Sequence, residues 1–456
     1  MRRAIARLGA ALSILSVACG GHTARTLKMR TALDEGDPKR AIAALDDEMD
    51  IDTPGGYPKK VEGDDALLVL DRASIRQSIA DFKGSKNDLE VADKAIDLLD
   101  LSHTTADDLG KYMFSDSAGR YQAPPYEKLF VNTLNMVNYL ELADLNGARV
   151  EARRFAVMQK YLRDKANEKD STISGLGSYL AGFVYEKSGE ADEALRYYDD
   201  ALAFGHKGTL SAPVARMAKR GSYTSPRLKA AAEGESGDPI GEEEGELLIF
   251  VGYGRVPHKI ANRLPIGLVL TYYSLYISSA DRATANQMAI TGALTWVNFP
   301  SLSKDLGMVS RPDCTFDGKP LSLDGTTDVS AEVRRQWQKI EGSVVASALT
   351  RLITRAAVGV GTQAAGKGIA KAAGASNEAA GVIGALAAIG AVVGMTAADT
   401  PDTRSWETLP ARVAVLRKIV PAGKHSLSIQ ARGWSRTQTV TIPKGGWATV
   451  SLMALN

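Results

Sequence analysis

Few residues of this 456-residue chain stand at spacings that do chemistry. The five histidines, His22, His103, His206, His258 and His425, are scattered, and none lies three or four residues from another. No cysteine pairs with them, so metal-ligand spacing is absent from the sequence. The run Gly361-Thr362-Gln363-Ala364-Ala365-Gly366-Lys367-Gly368 approaches a phosphate-binding loop. Gly368, however, stands where a Ser or Thr must hold magnesium, and the preceding stretch is helical in pattern rather than a strand. No Gly-x-Ser-x-Gly elbow nominates a nucleophile. The expectation is a non-enzymatic protein with no catalytic residues, cofactor, metal or nucleotide. One polar cluster remains, Asp402-Thr403-Arg404-Ser405-Trp406, running on to Leu409-Pro410. A guanidinium fork suits a carboxylate, and an indole combines packing area with one donor. Asp402, Arg404 and Trp406 are expected either to face a partner or to lock two subdomains together.

Cys19 is read from its surroundings. Arg2, Arg3 and Arg7 precede the short apolar stretch Leu8 to Ala18, the build of a secretory signal. That stretch falls short of the roughly 20 apolar residues that a bilayer span needs. Leu15-Ser16-Val17-Ala18-Cys19-Gly20 resembles a bacterial lipobox, with Ser16 where Leu is usual. The resemblance implies acylation of Cys19, which becomes the first residue of the mature chain. An ordinary cleaved signal is the competing reading. Gly20, in place of the Asp that retains lipoproteins at the inner membrane, implies an outer membrane lipoprotein facing the periplasm or the cell surface. Several acyl chains would hold it durably, since one alone binds only marginally. Cys314 is then the sole remaining cysteine, so the mature chain has no internal disulfide, and a buried, inert thiol is expected.

Charged residues make up 24 % of the chain and the net charge is only +2, so no global field draws it to nucleic acid. The length calls for two or three domains. The fold class expected is α+β: a helical repeat region at 23–205, a flexible acidic linker at 206–245, a mixed β/α region at 246–398 and a small antiparallel β-sheet or sandwich at 399–456.

The helical region carries the clearest periodicity. Gly182, Tyr185, Gly189, Ala194, Tyr198 and Ala201 are spaced as in a tetratricopeptide repeat. Small residues sit where two antiparallel helices approach, Gly189 turns the chain, and the tyrosines fill the space beside it. Ala32, Gly36, Ala41 and Leu45 repeat those intervals, and Met136 through Phe155 repeats them more weakly. Such helix pairs bury their apolar faces only by stacking. The stack is expected to offer a concave surface to a protein partner, with Tyr139, Arg149, Arg153, Tyr185 and Tyr198 as its contacts, or else to be purely structural.

Strand-like runs follow at 247–252, 266–273 and 293–299, with a hairpin at 315–323. An amphipathic helix is expected from Val329 to about Ala357. Residues 379–397 carry no charge and are rich in Ala and Gly. Their six Val, Ile and Leu residues contribute only about −2 to −4 kcal/mol toward insertion. A packed internal helix is expected, with membrane or oligomer contact as the alternative. Four alternating segments at 413–417, 425–431, 438–442 and 448–453 end the chain.

Several of these stretches together resemble a family of bacterial lipoproteins with tetratricopeptide-like helices. The carrying residues are Tyr126-Glu127-Lys128-Leu129, Asn138-Tyr139-Leu140, Ala148 to Arg154, and above all the Asp-Thr-Arg-Ser-Trp-x-x-Leu-Pro signature at 402–410. The resemblance implies an exported, lipid-anchored helical-repeat protein that binds an envelope protein, and it carries no activity. A membrane-active or pore-associated component using residues 358–397, and a protein that regulates or cleaves peptidoglycan, are the alternatives.

Overall fold

The computed structural model describes residues 21–96, 121–165, 171–205, 209–372 and 400–456, apart from 54, 59–60, 62–63, 122, 291, 293, 308–309, 324–325 and 432–433. Cys19 and residues 379–397 lie outside them. Among the described residues eleven helices come first: α1 (His22–Arg25), α2 (Leu27–Asp34), α3 (Pro38–Glu48), α4 (Asp64–Ser78), α5 (Phe82–Ile96), α6 (Pro125–Glu141), α7 (Leu145–Lys165), α8 (Thr172–Lys187), α9 (Ala191–Ala203), α10 (Ser211–Ala218) and α11 (Pro226–Ala232). The rest runs β1 (Glu244–Tyr253), β2 (Lys259–Pro265), α12 (Ile266–Tyr272), α13 (Ser279–Ile290), β3 (Trp296–Leu302), β4 (Asp313–Phe316), β5 (Lys319–Leu321), β6 (Thr326–Asp328), α14 (Val329–Ala372), β7 (Arg412–Pro421), β8 (Gly423–Ala431), β9 (Trp434–Ile442) and β10 (Trp447–Ala454). The chain is α+β.

Four helix pairs, α2/α3, α4/α5, α6/α7 and α8/α9, turn in the same way. The second residue past each first helix adopts positive φ: Gly36 (75°), Ala80 (62°), Ala143 (55°) and Gly189 (82°). Behind each, the next N–H reaches back to the helix, from Asp37 to Ala32 C=O, Asp81 to Arg76, Asp144 to Tyr139 and Glu190 to Tyr185, all at 2.9–3.0 Å. This is the Schellman turn. Asp37, Asp81 and Asp144 then cap the following helix, accepting from the backbone N–H of Arg40, Gly84 and Gly147 at 2.9 Å. Small residues allow the helices to close up. A methyl on Gly182 would overlap the Tyr198 ring, and one on Gly177 the Phe155 ring.

The helices lie on one face of a four-stranded sheet ordered β10-β1-β7-β6, with β1 parallel to β10 and antiparallel to β7. Leu248, Phe250, Val413 and Val415 face the helical core, while Leu247, Ile249, Ala414 and Leu416 face a second sheet ordered β5-β4-β8-β9. The strict period-2 alternation thus feeds two cores at once. Cys314 is buried in the second core, where burial pushes its thiol up to about 11.

Beyond these three layers, α14 extends for 44 residues, about 66 Å. The two-stranded sheet β2–β3 with α12 and α13 packs on it through Val269, Leu294, Val297, Phe299, Val345 and Leu349. No described helix is long and apolar enough to cross a membrane.

Three local expectations are corrected. Residues 211–232 are not linker: Val214, Met217 and Leu228 are buried in the helical core, and Ser225 caps α11 by accepting from Leu228 N–H. The run at 266–273 is a helix, because Ile266 and Val269, three residues apart, bury on one side and Pro265 starts it. The last four strands do not form one antiparallel sheet. They divide between two sheets and pair with β1, β4 and β6, so 399–456 shares its core with residues 244–328.

Candidate functional site

The 402–410 signature is threaded between the helices and the first sheet. Arg404 forks onto Asp402 (Nε to Oδ1 2.9 Å, Nη2 to Oδ2 2.8 Å) and reaches Asp64 on α4 (3.3 Å). Asp402 is held below the usual carboxylate range: burial opposes this, but the Arg404 bonds win. Trp406 is 1 % exposed. Its indole Nε1 donates to Ser74 Oγ of α4 at 3.0 Å, and its backbone N–H donates to Glu127 Oε1 of α6 at 3.0 Å. Asp71 Oδ1 accepts from Glu407 N–H, Thr408 N–H and Thr408 Oγ1 at 2.9–3.0 Å. Tyr121 and Tyr126 donate to Glu127, and Arg30 donates to Glu407 (2.6 Å). The segment therefore uses acidic side chains from the helices to satisfy its own N–H groups. Of the two roles expected for Asp402, Arg404 and Trp406, this geometry is that of a lock between subdomains.

Three carboxyls there are pushed upward. Burial raises Glu127, burial and the Glu407 charge raise Asp71 well above its ordinary range, and burial takes Glu407 to about 7 against the pull of Arg30. Asp71 Oδ2 and Glu407 Oε1 have no hydrogen-bond partner among the described residues. The pair holds a proton near neutrality but is sealed, with Asp71 fully buried and Glu407 1 % exposed. It sets stability rather than meeting a substrate.

A second charged junction joins α8 and α10 to β1 and β7. Arg417 reaches Glu246 with Nε and Nη2 (2.6 and 2.7 Å), Glu186 with Nη2 (2.5 Å) and the Tyr198 hydroxyl with Nη1 (2.7 Å). Lys187 and Arg216 also bond Glu246, the latter at 2.9 Å. Burial acts to raise Glu246 and Glu186, but the Arg417 charge overrides it and both lie below the ordinary range. Arg417, Glu246, Lys187 and Arg216 carry no periodic signal. The visible cue is a charge inside apolar strand runs, Glu246 before Leu247–Phe250 and Arg417 after Val413–Leu416.

The residues expected at a partner surface separate. Tyr198 is fully buried in this junction and donates to Glu186 Oε2 (2.6 Å). Tyr185 is buried and stacked on Tyr197 at 5.3 Å. Tyr139 is half-buried, donating to Glu90 (2.7 Å), and Arg149 pairs with Glu190 (2.6 Å). Arg153 alone stands exposed, with Asn146, Val150, Val157 and Lys160 along the outer side of α7. Tyr198 is internal because β7 brings Arg417 onto its hydroxyl, and Tyr185 because its ring packs on Tyr197 of α9. The chain matches no family model, no curated protein and no solved structure.

Proposed function

We propose that this protein is a lipid-anchored envelope scaffold, non-enzymatic, whose tetratricopeptide-like helices bind another envelope protein. The observation that carries the reading is the outer stripe of α7. Val150 is 50 % and Val157 52 % exposed, seven residues apart, with Arg153 between them and Lys160 beyond. Apolar residues two helical turns apart on one face, interleaved with cations, suit an amphipathic helix bearing acidic residues. The four like turns support reading the helix pairs as repeats. The lipobox at Cys19 supplies the anchor, and the first described residue, Gly21, lies against Thr400 and Thr403.

The test is a photo-crosslinking residue at position 150 in living cells, with labelled palmitate followed in parallel. A single discrete adduct, lost in Arg153→Glu, together with label that disappears in Cys19→Ser, is the expected result. No adduct, or one indifferent to Arg153→Glu, overturns the partner surface; label absent from the parent chain overturns the anchor.

A second reading, contact with a bilayer, is favoured by a separate observation. Tyr272 on α12, Leu275 in the turn after it, Ile290 on α13 and Trp296 on β3 are 74 %, 95 %, 87 % and 42 % exposed. Flotation of the Cys19→Ser chain with anionic vesicles, abolished by Leu275→Glu, would favour it; a chain that stays in solution excludes it.

A further inference from the structure

A recess of about 570 Å³ opens where the helical layer meets the first sheet. Lys187 at the end of α8 and Arg216 on α10 form its floor, with side chains 9 % and 8 % exposed. With Arg417 these are three cations against the two carboxylates of Glu186 and Glu246, so one positive charge is uncompensated beneath the recess. At the rim Lys219 is tied to Asp238 (3.2 Å), whereas Arg220 beside it forms no ion pair among the described residues. The opposite wall is apolar: Ile240, and Trp447 held edge-on against Phe183 at 5.7 Å. The turn before Trp447 is Gly445-Gly446, with Gly445 at φ +61°, which leaves that side of the recess free of side chains.

An uncompensated buried cation disfavours the empty state, and an anion entering from solvent restores neutrality while meeting preformed donors. The volume falls within the roughly 300–1,000 Å³ of small-molecule sites, and the mixture of apolar wall and few converging charges is their ordinary lining. We propose that this recess binds a small organic anion, a carboxylate or phosphate carried on an apolar body. Lys187, Arg216 and Arg220 take the charge, and Ile240 and Trp447 take the body. The site is independent of the α7 stripe. Because its walls come from α8, α10 and the turn before β10, a bound anion ties the helical layer to the sheet and stabilises the chain by mass action.

The experiment is calorimetric titration of the full chain with phenyl phosphate and phenylacetate, with inorganic phosphate and acetate as headgroup-only probes. Saturable binding of one aromatic probe, about tenfold tighter than its headgroup alone and weakened about tenfold or more by Arg220→Glu, is expected. Which aromatic probe binds distinguishes phosphate from carboxylate. If Arg220→Glu fails to fold, Ile240→Glu, which places a like charge on the apolar wall, is the deciding variant. No saturation by either probe up to about 10 mM, or binding undiminished in the folded variant, overturns the proposal.

Discussion

Arg417 and Glu246 lie 171 residues apart in the chain and meet as a two-pronged ion pair, Nε to Oε1 at 2.6 Å and Nη2 to Oε2 at 2.7 Å. Both side chains are sealed, at 1 % and 2 % exposed. Arg417→Met leaves Lys187 and Arg216 beside Glu186 and Glu246, so the buried charges still balance. It removes the Arg417 bonds to both carboxylates and to the Tyr198 hydroxyl, however, and a hydrogen bond to a charged group is worth about 1.5–3 kcal/mol. Arg417→Met should therefore lower unfolding stability by about 3–5 kcal/mol in urea titration. The double variant Arg417→Met/Glu246→Met should recover none of that loss, because Glu246 also holds Lys187 and Arg216, which are then left with Glu186 alone. A single variant within about 0.5 kcal/mol of the parent would contradict this account.

The four like turns give opposite predictions for glycine and alanine. Positive φ costs an alanine about 1–2 kcal/mol, and replacing it by glycine costs about 0.4–1 kcal/mol in unfolded-chain entropy. Ala143→Gly should then stabilise by about 0.5 kcal/mol or slightly more. Gly189→Ala should destabilise by about 1 kcal/mol through backbone strain alone, since a methyl there meets nothing within 4 Å. Thermal unfolding of the two variants should move in opposite directions.

Those turns also explain what could be read from the sequence. The helix pairs around Gly36 and Gly189 were legible because glycine marks a left-handed turn and the flanking small residues keep helical spacing. The pair joined at Ala80 was not, since alanine carries no such signal and the turn is imposed by packing. Val214, Met217 and Leu228 were invisible as core because the helices that carry them are only eight and seven residues long and lie between polar, glycine-containing segments. Arg404 forking onto a carboxylate was legible from residue chemistry. That Asp71 and Glu127, more than 270 residues earlier, would receive the backbone of 406–408 was not, because nothing local specifies it.

Trp406 tests the lock. Its ring is buried and its one donor meets Ser74 Oγ at 3.0 Å. Trp406→Phe keeps most of the packing and removes the hydrogen bond, for an expected loss of about 1–2 kcal/mol. Trp406→Ala should cost about 3–5 kcal/mol. A much larger cost for Phe than for Ser74→Ala would mean that shape rather than the hydrogen bond holds the indole.

The two buried carboxylate clusters should give stability an unusual dependence on pH. Glu186 and Glu246 lie below their ordinary value in the folded chain, so their contribution is present above about 4.5 and is lost as the solution becomes more acidic. Glu407 is displaced the other way, from 4.5 unfolded to about 7 folded, and Asp71 moves in the same direction. The folded state then binds the extra proton, so this contribution is complete below about 4.5 and disappears as pH rises through 7. Its size is on the order of 3–4 kcal/mol, taking about 1.4 kcal/mol for each unit. Stability should accordingly peak near pH 5, falling steeply on the acid side and gently toward neutrality. Glu407→Gln keeps an oxygen for Arg30 but cannot ionise, so the limb between pH 4.5 and 7 should flatten while the acid limb persists. An unchanged alkaline limb in Glu407→Gln, measured by urea unfolding across that range, would place the titrating proton elsewhere.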